Sequence, residues 1–292
     1  MPRAATLKAD NPPFVHGPIT DPLKLPYAKK LSEVRTLRLN EAFRILVTCA
    51  ACALTVGQQE SLYLETIKGL DRHDLETICH AFALLQQDMQ ERPYRDLLGP
   101  VYMEIGHQLD RKYGAEFFTP HELSYLMAKM TYGQNTHSMF PADKPLDCGE
   151  PACGSGGMIL AATQVFVEAG ISPLHTRWVA QDISNTSCYS TFVNTSLWGI
   201  PALVKCGNTL SSDPPRWQWS NVFWHQARPL PDAAWIQRTR KVFDFIQGMA
   251  AETFEVAPQK PAVQASVQPA TTEPRQPAPF GPEFGPLFGS EA

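Results

Sequence analysis

The sequence has no apolar run approaching the length of a membrane span, so no membrane-crossing helix is expected. Met1 to Tyr27 is proline-rich and lacks an apolar stretch, so no export signal is expected either, and the reading that follows is a cytoplasmic protein. Positive charge is not in excess: 25 Lys and Arg stand against 29 Asp and Glu, a formal net charge of -4. Phosphate contacts supply most nucleic-acid affinity, so a chain of this balance needs a basic face or a partner if its substrate is DNA. A disulfide framework is also missing. The seven cysteines are odd in number, scattered, and mostly in apolar contexts, which favours reduced thiols. Cys49 and Cys52 form a C-x-x-C inside an alanine-rich apolar stretch with no second pair at zinc spacing, so they read as helix packing and no metal site is expected.

What is present is enough for a sizeable fold. With 292 residues and 43% hydrophobic composition, the chain can bury one α/β domain and a smaller helical one. Four regions are expected: an extended leader over 1–31, a helical domain over 32–110, an α/β domain over 111–250 and a disordered Pro/Ala/Gln-rich tail over 251–292. In the helical region Leu37, Leu39, Phe43, Leu46 and Val47 recur at helical spacing, as do Leu75, Ile78, Phe82, Leu84 and Leu85. Asn11-Pro12-Pro13-Phe14 has the form of an amino-methyltransferase tetrapeptide, but no buried strand precedes it to hold the asparagine. An amphipathic helix is expected over Asp232 to about Met249, and Phe280, Phe284 and Phe288 recur near the end among Gly and Pro.

The chemistry concentrates further in. Pro145 to Leu160 reads as a short strand, a tight turn carrying Gly154, Gly156 and Gly157, and the first turn of a helix. Glycines at that spacing let the chain bend and let a ligand approach bare amides, although such a loop also serves merely to close a strand-helix turn. Upstream, Thr119 is placed to cap a helix with Pro120 at its first position and Glu122 in its first turn. Downstream, Asp182 closes the apolar run Trp178-Val179-Ala180, at a distance from the glycines that fits a strand-helix-strand unit. The other reading of Asp182 is a helix cap just past a strand.

Taken in order, DLLGPVY (Asp96 to Tyr102), GAEFFTP (Gly114 to Pro120), EPACGSGGM (Glu150 to Met158), AQDIS (Ala180 to Ser184), FVNTSLWGI (Phe192 to Ile200) and GNTL (Gly207 to Leu210) resemble the adenine-specific DNA methyltransferases of the type I restriction-modification modification-subunit family. The resemblance covers about 95–210. It implies an α/β fold, a Rossmann-like methyltransferase sheet preceded by a helical domain, with S-adenosylmethionine as cofactor and methyl transfer to the exocyclic amino group of adenine in DNA. It further implies that Phe117, Phe118, Thr119 and Pro120 pack against the methionine end of the cofactor. Cys153, Gly154, Ser155, Gly156 and Gly157 would pass beneath that end, Glu150 would lie near its ammonium group, and Asp182 would accept both ribose hydroxyls. Asn194 is read as support for the loop. A separate specificity subunit is the partner the family uses to read DNA.

Two positions depart from the family. Asn208 stands where an aspartate usually accepts the adenine amino group of the cofactor, and it keeps a carbonyl oxygen for that bond. The catalytic tetrapeptide, expected after a further strand, is not cleanly there. Asp213, Pro214 and Pro215 follow GNTL almost at once with Arg216 in the aromatic position, and Trp217 could stack one residue late. The competing reading is a proline turn. Ser220 to Gln226 is then the expected strand, ending in Ala227-Arg228-Pro229. The alternative function is a catalytically degenerate cofactor-binding accessory protein of a DNA modification system.

Overall fold

The computed structural model describes residues 19–109, 118–134 and 136–231. Helices α1 (Pro26–Leu31), α2 (Leu39–Leu54), α3 (Glu60–Ile67), α4 (Arg72–Glu91) and α5 (Leu98–Leu109) come first, followed by α6 (His121–Tyr132). Then β1 (Leu146–Glu150), α7 (Gly157–Glu168), β2 (Thr176–Asp182), α8 (Asn185–Leu197), β3 (Ala202–Cys206) and β4 (Trp217–Ser220) alternate. The strands lie in the order β1-β2-β3-β4, with the first three parallel and β4 antiparallel to β3. Among the described residues no helix is long and apolar enough to cross a membrane.

The connections β1-α7-β2 and β2-α8-β3 step in one direction, and right-handed crossovers then place both helices on one face of the sheet. Side-chain alternation agrees. Thr176, Trp178 and Ala180 of β2 and Ala202, Val204 and Cys206 of β3 are buried, while Arg177, Val179, Gln181, Leu203 and Lys205 are half-buried. On that second face Arg177 pairs with Asp147 of β1 at 2.8 Å. Helix α7 is apolar through Ile159, Leu160, Val165 and Phe166, as a helix wedged between a sheet and other helices must be. Helix α8 is buried although rich in Ser and Thr, because its hydroxyls bond the preceding turn: Ser190 Oγ to the Thr186 carbonyl and Thr195 Oγ1 to the Thr191 carbonyl, both at 2.8 Å.

Several expectations need correction. The leader is not extended to residue 31. Pro26–Leu31 is a helix whose Tyr27, Ala28 and Leu31 are buried, and the Tyr27 hydroxyl donates to the Leu97 carbonyl at 2.7 Å. A boundary at 110/111 does not separate two cores either, since one cluster of buried side chains runs from Leu25 through Leu98 to Cys206. The strand expected over 220–226 is instead Trp217–Ser220, and Trp224–Gln226 forms a 3-10 turn. The cysteines at 49 and 52 are buried on α2. The Asn11 tetrapeptide, the helix over 232–249, the tail and its phenylalanines lie outside the described residues, as does Phe117.

Candidate functional site

The carboxyl ends of β1, β2 and β3 converge, which is where open parallel sheets bind ligands. Three short segments meet there. The glycine turn leaves β1 and enters α7 through Gly154, with φ +52°, and Gly156, with φ +89°, values that glycine adopts without a side-chain penalty. The end of β2 supplies Asp182, and Gly207 to Leu210 leaves β3.

Asp182 holds these segments together. Its Oδ2 accepts the Gly154 amide and its Oδ1 the Ser184 amide, each at 2.9 Å, while its carbonyl accepts the Gly207 amide at 2.8 Å. The cap of α8 is Ser184, whose Oγ accepts the Ser187 amide, so the Asp182 carboxylate is not used as that cap. Each carboxylate oxygen has spent one acceptor site on an amide and keeps another. Thr209 Oγ1 donates to the Pro151 carbonyl at 2.5 Å and closes the third segment onto the first.

The helix start upstream reaches the same place. A Cβ built on Gly154 would collide with the Phe118 ring, so that ring lies directly on the glycine turn. Phe118 is steadied by Tyr102, with ring centroids 6.0 Å apart, and its amide donates to Met103 Sδ at 3.1 Å. The cap of α6 is Pro120 rather than Thr119: proline lacks an amide hydrogen, and here its carbonyl accepts the Ser124 amide at 2.9 Å. Thr119 and Pro120 remain exposed at the mouth of a cavity of about 360 Å³ lined by Arg95, Asp96, Met103, Phe118 and Glu122. Glu122 forms an ion pair with Arg95. Burial opposes the Glu122 charge, but its own amide and Arg95 outweigh that and lower its pKa.

Inside the turn, the Cys153 amide donates to the Gln181 carbonyl at 2.9 Å and Ser155 is buried. The Gly154 carbonyl accepts Thr191 Oγ1 at 2.7 Å, and the Ser155 carbonyl accepts Asn194 Nδ2 at 2.8 Å. Asn194 therefore supports the loop from α8. Below the turn, the Cys188 thiol has its pKa pushed up by hydrogen bonding with Cys153 and by burial, which makes it inert as a nucleophile. Glu150 Oε1 accepts the Ala152 amide at 3.3 Å, and Asn208 Oδ1 accepts the Leu210 amide at 3.0 Å; both side chains stand at the rim.

The residues singled out for transfer are placed differently. Asp213 is exposed and closes a small turn in which its Oδ2 accepts Ser211 Oγ at 2.5 Å. Pro215 packs on Gly207, with its Cα 3.0 Å from where a glycine Cβ would be. Trp217 stacks on Tyr189 at 5.0 Å and 9°, and its Nε1 donates to Asn185 Oδ1 at 2.9 Å. Arg216 turns back to the Ile183 carbonyl and, at 3.0 Å, to Cys206 Sγ. Among the described residues no hydrogen bond joins Asp213 to the glycine turn. Sequence reasoning assigned no role to Asp96, whose carboxylate reaches Ser155 inside the turn. Its position at the head of DLLGPVY, just ahead of a helix, was the available signal.

No curated protein matches the chain. Among solved structures, a type I restriction-modification system methyltransferase subunit from Streptococcus thermophilus is 17% identical, with 63% of this chain and 42% of that one covered and a TM-score of 0.35. A class I S-adenosylmethionine-dependent methyltransferase from Listeria monocytogenes is 11% identical, with 64% and 51% covered and a TM-score of 0.38. This chain thus spans about half of either structure, or less. The family model described as N-6 DNA Methylase matches residues 94–238, the stretch that carries Asp96, Phe118, the glycine turn and Asp182, and that stretch is thereby identified with the N-6 DNA methylase family.

Proposed function

We propose that the protein binds S-adenosylmethionine at the carboxyl ends of β1, β2 and β3 and transfers its methyl group to the exocyclic amino group of adenine in DNA. The observation that carries this reading is the bond from the Gly154 amide to Asp182, with the Phe118 ring on the same glycine. One carboxylate, one stretch of bare backbone and one aromatic face are thereby offered to a single ligand. The donor set fits the cofactor. Asp182 has acceptor capacity left for two ribose hydroxyls, Phe118 to Pro120 give an apolar flank for the methionine end, and Glu150 at the rim suits an ammonium group. Asn208 offers a carbonyl oxygen toward an adenine amino group once it releases the Leu210 amide. Bound there, the cofactor would supply an electrophilic methyl on sulfur, and the residues named would hold and orient it. DNA is the substrate class, a separate specificity subunit the partner, and the cytoplasm the compartment.

A second reading, a cofactor-binding accessory protein without transfer, is favoured by the Asp213 to Trp217 segment. Asp213 faces solvent in its own turn, and Trp217 has its ring covered by Tyr189, which leaves that face unavailable to a flipped base. Calorimetry with S-adenosylmethionine, combined with transfer of labelled methyl groups to DNA with and without candidate partner subunits, separates the two. Transfer that is lost in Asp182→Ala supports the enzyme. Binding without transfer under every condition replaces it with the accessory protein, and absence of binding by the wild type overturns both.

A further inference from the structure

A buried carboxylate that belongs to no strand end reaches into the glycine turn. Asp96 is 7% exposed, and it accepts the Leu98 and Gly99 amides at 3.1 Å, Asn194 Nδ2 at 3.1 Å, and Ser155 Oγ in a shorter contact. Capping α5 explains only the first two of these bonds, and a surface aspartate could do that much. The other two leave α5 and run to the turn and to α8. Room for this is built in, since a Cβ at Gly99 would collide with both Asp96 Oδ2 and Ser155 Oγ. The approach is also held under backbone strain: Tyr94, two residues earlier, has φ +59° and is pinned against the Trp198 ring at 4.6 Å.

Ser155 sits between two glycines of positive φ, so the turn has little conformational preference of its own. Its peptide planes are set by what they bond. The peptide before Ser155 is held by Thr191 on the Gly154 carbonyl, the one after it by Asn194 on the Ser155 carbonyl. Asn194 Nδ2 is itself shared with Asp96. We infer that Asp96 is a positioning residue: through Ser155 and Asn194 it fixes the orientation of the glycine turn before any ligand arrives. This rests on the cofactor reading above, because what it presets is the backbone on which the methionine end would lie. Preorganisation of this kind acts on affinity by removing the ordering that binding would otherwise require.

The test uses the full chain and four variants. Ser155→Ala cuts the link at the turn and leaves the cap of α5 intact. Asp96→Ala removes both, and Asp96→Asn keeps an acceptor for α5 and offers an amide to Ser155 Oγ. Val47→Ala, in the core of α2, is a destabilised control. Ser155→Ala and Asp96→Ala are each expected to weaken S-adenosylmethionine binding about tenfold, the size of one lost hydrogen bond to a charged group. The double variant should be no weaker than Asp96→Ala, Asp96→Asn should stay within about threefold of wild type, and Val47→Ala should bind as wild type does. Additive losses, or wild-type affinity in Ser155→Ala, would overturn the inference. If the wild type does not bind the cofactor, the cofactor reading fails separately, and hydrogen exchange decides this one. The amides of Cys153 to Gly157 should then exchange at least about tenfold faster in Ser155→Ala, and unchanged exchange overturns the positioning role.

Discussion

Three glycines allow the packing of the site to be tested without a ligand. Gly154 combines positive φ with the Phe118 ring in contact; Gly170 has φ +78° and nothing within 4 Å; Gly149, on β1, has neither feature. An alanine at Gly170 therefore measures the left-handed penalty alone, about 1–2 kcal/mol. At Gly154 the same penalty is joined by displacement of Phe118, an overpacking cost of about 1–3 kcal/mol, giving roughly 2–5 kcal/mol together. For a folded unit of this size each kcal/mol lowers Tm by about 2–4 °C, so Gly154→Ala should melt roughly 5–15 °C below wild type and clearly below Gly170→Ala. Gly149→Ala should lie within about 0.5 kcal/mol of wild type. Thermal melts of the four proteins at one pH and one concentration suffice. Equal losses at Gly154 and Gly170 would mean that the Phe118 ring does not rest on the turn, and the juxtaposition behind the proposed site would fall with it. A matching loss at Gly149 would mean that alanine is tolerated nowhere in this region for other reasons.

Acid should unmask Asp74. Its carboxyl is held well below the ordinary carboxylate value by the Arg35 amide at 2.9 Å, by the Thr36 hydroxyl and by the Thr36 amide at 3.0 Å. A depressed folded value contributes stability that is present above the unfolded pKa, near 3.9, and lost as pH falls toward the folded one. Asp74→Asn should thus melt well below wild type at pH 6, with a gap that narrows by pH 3; a gap independent of pH would refute this. Asp96 works in the opposite direction, since burial raises its pKa, so its charged form weakens the fold as pH rises past the ordinary carboxylate range. Asp213→Ala should leave Tm unchanged, because its bonds stay within an exposed turn, whereas Trp217→Ala should lower Tm through lost stacking on Tyr189 and Trp219. Under native conditions a thiol reagent should modify Cys79 first, as it is the exposed cysteine, while burial pushes Cys49 and Cys148 up to about 12; fast labelling of either would contradict the packing described.

Much of this molecule could be read along the chain. The glycine turn, the strand ahead of it, the helix behind it and Asp182 at the next strand end are local features, because each rests on φ preference, side-chain period and the length of a strand-helix-strand unit. Phe118 to Pro120 could be recognised as a helix start, although the choice of Pro120 over Thr119 as its cap could not. Where one-dimensional reading failed, the deciding interactions were remote. Pro26–Leu31 is a helix because Tyr27, Ala28 and Leu31 find a core that includes Leu97 and Leu98, some seventy residues away. Trp217 joined β4 rather than a catalytic loop because α8 offered rings to that strand, Tyr189 to Trp217 and Phe192 to its neighbour Trp219.

The strand-turn-helix framework follows from short-range backbone preferences that need no distant partner, and the likeness to the N-6 DNA methylases from the order of motifs between Asp96 and Leu210. That Phe118 lies on Gly154, that Asp182 binds the turn and that Asp96 reaches Ser155 across 59 residues of chain emerges from the packed fold alone. Those contacts depend on where packed helices and sheet bring side chains together, and the spacing of letters along the chain does not contain that information.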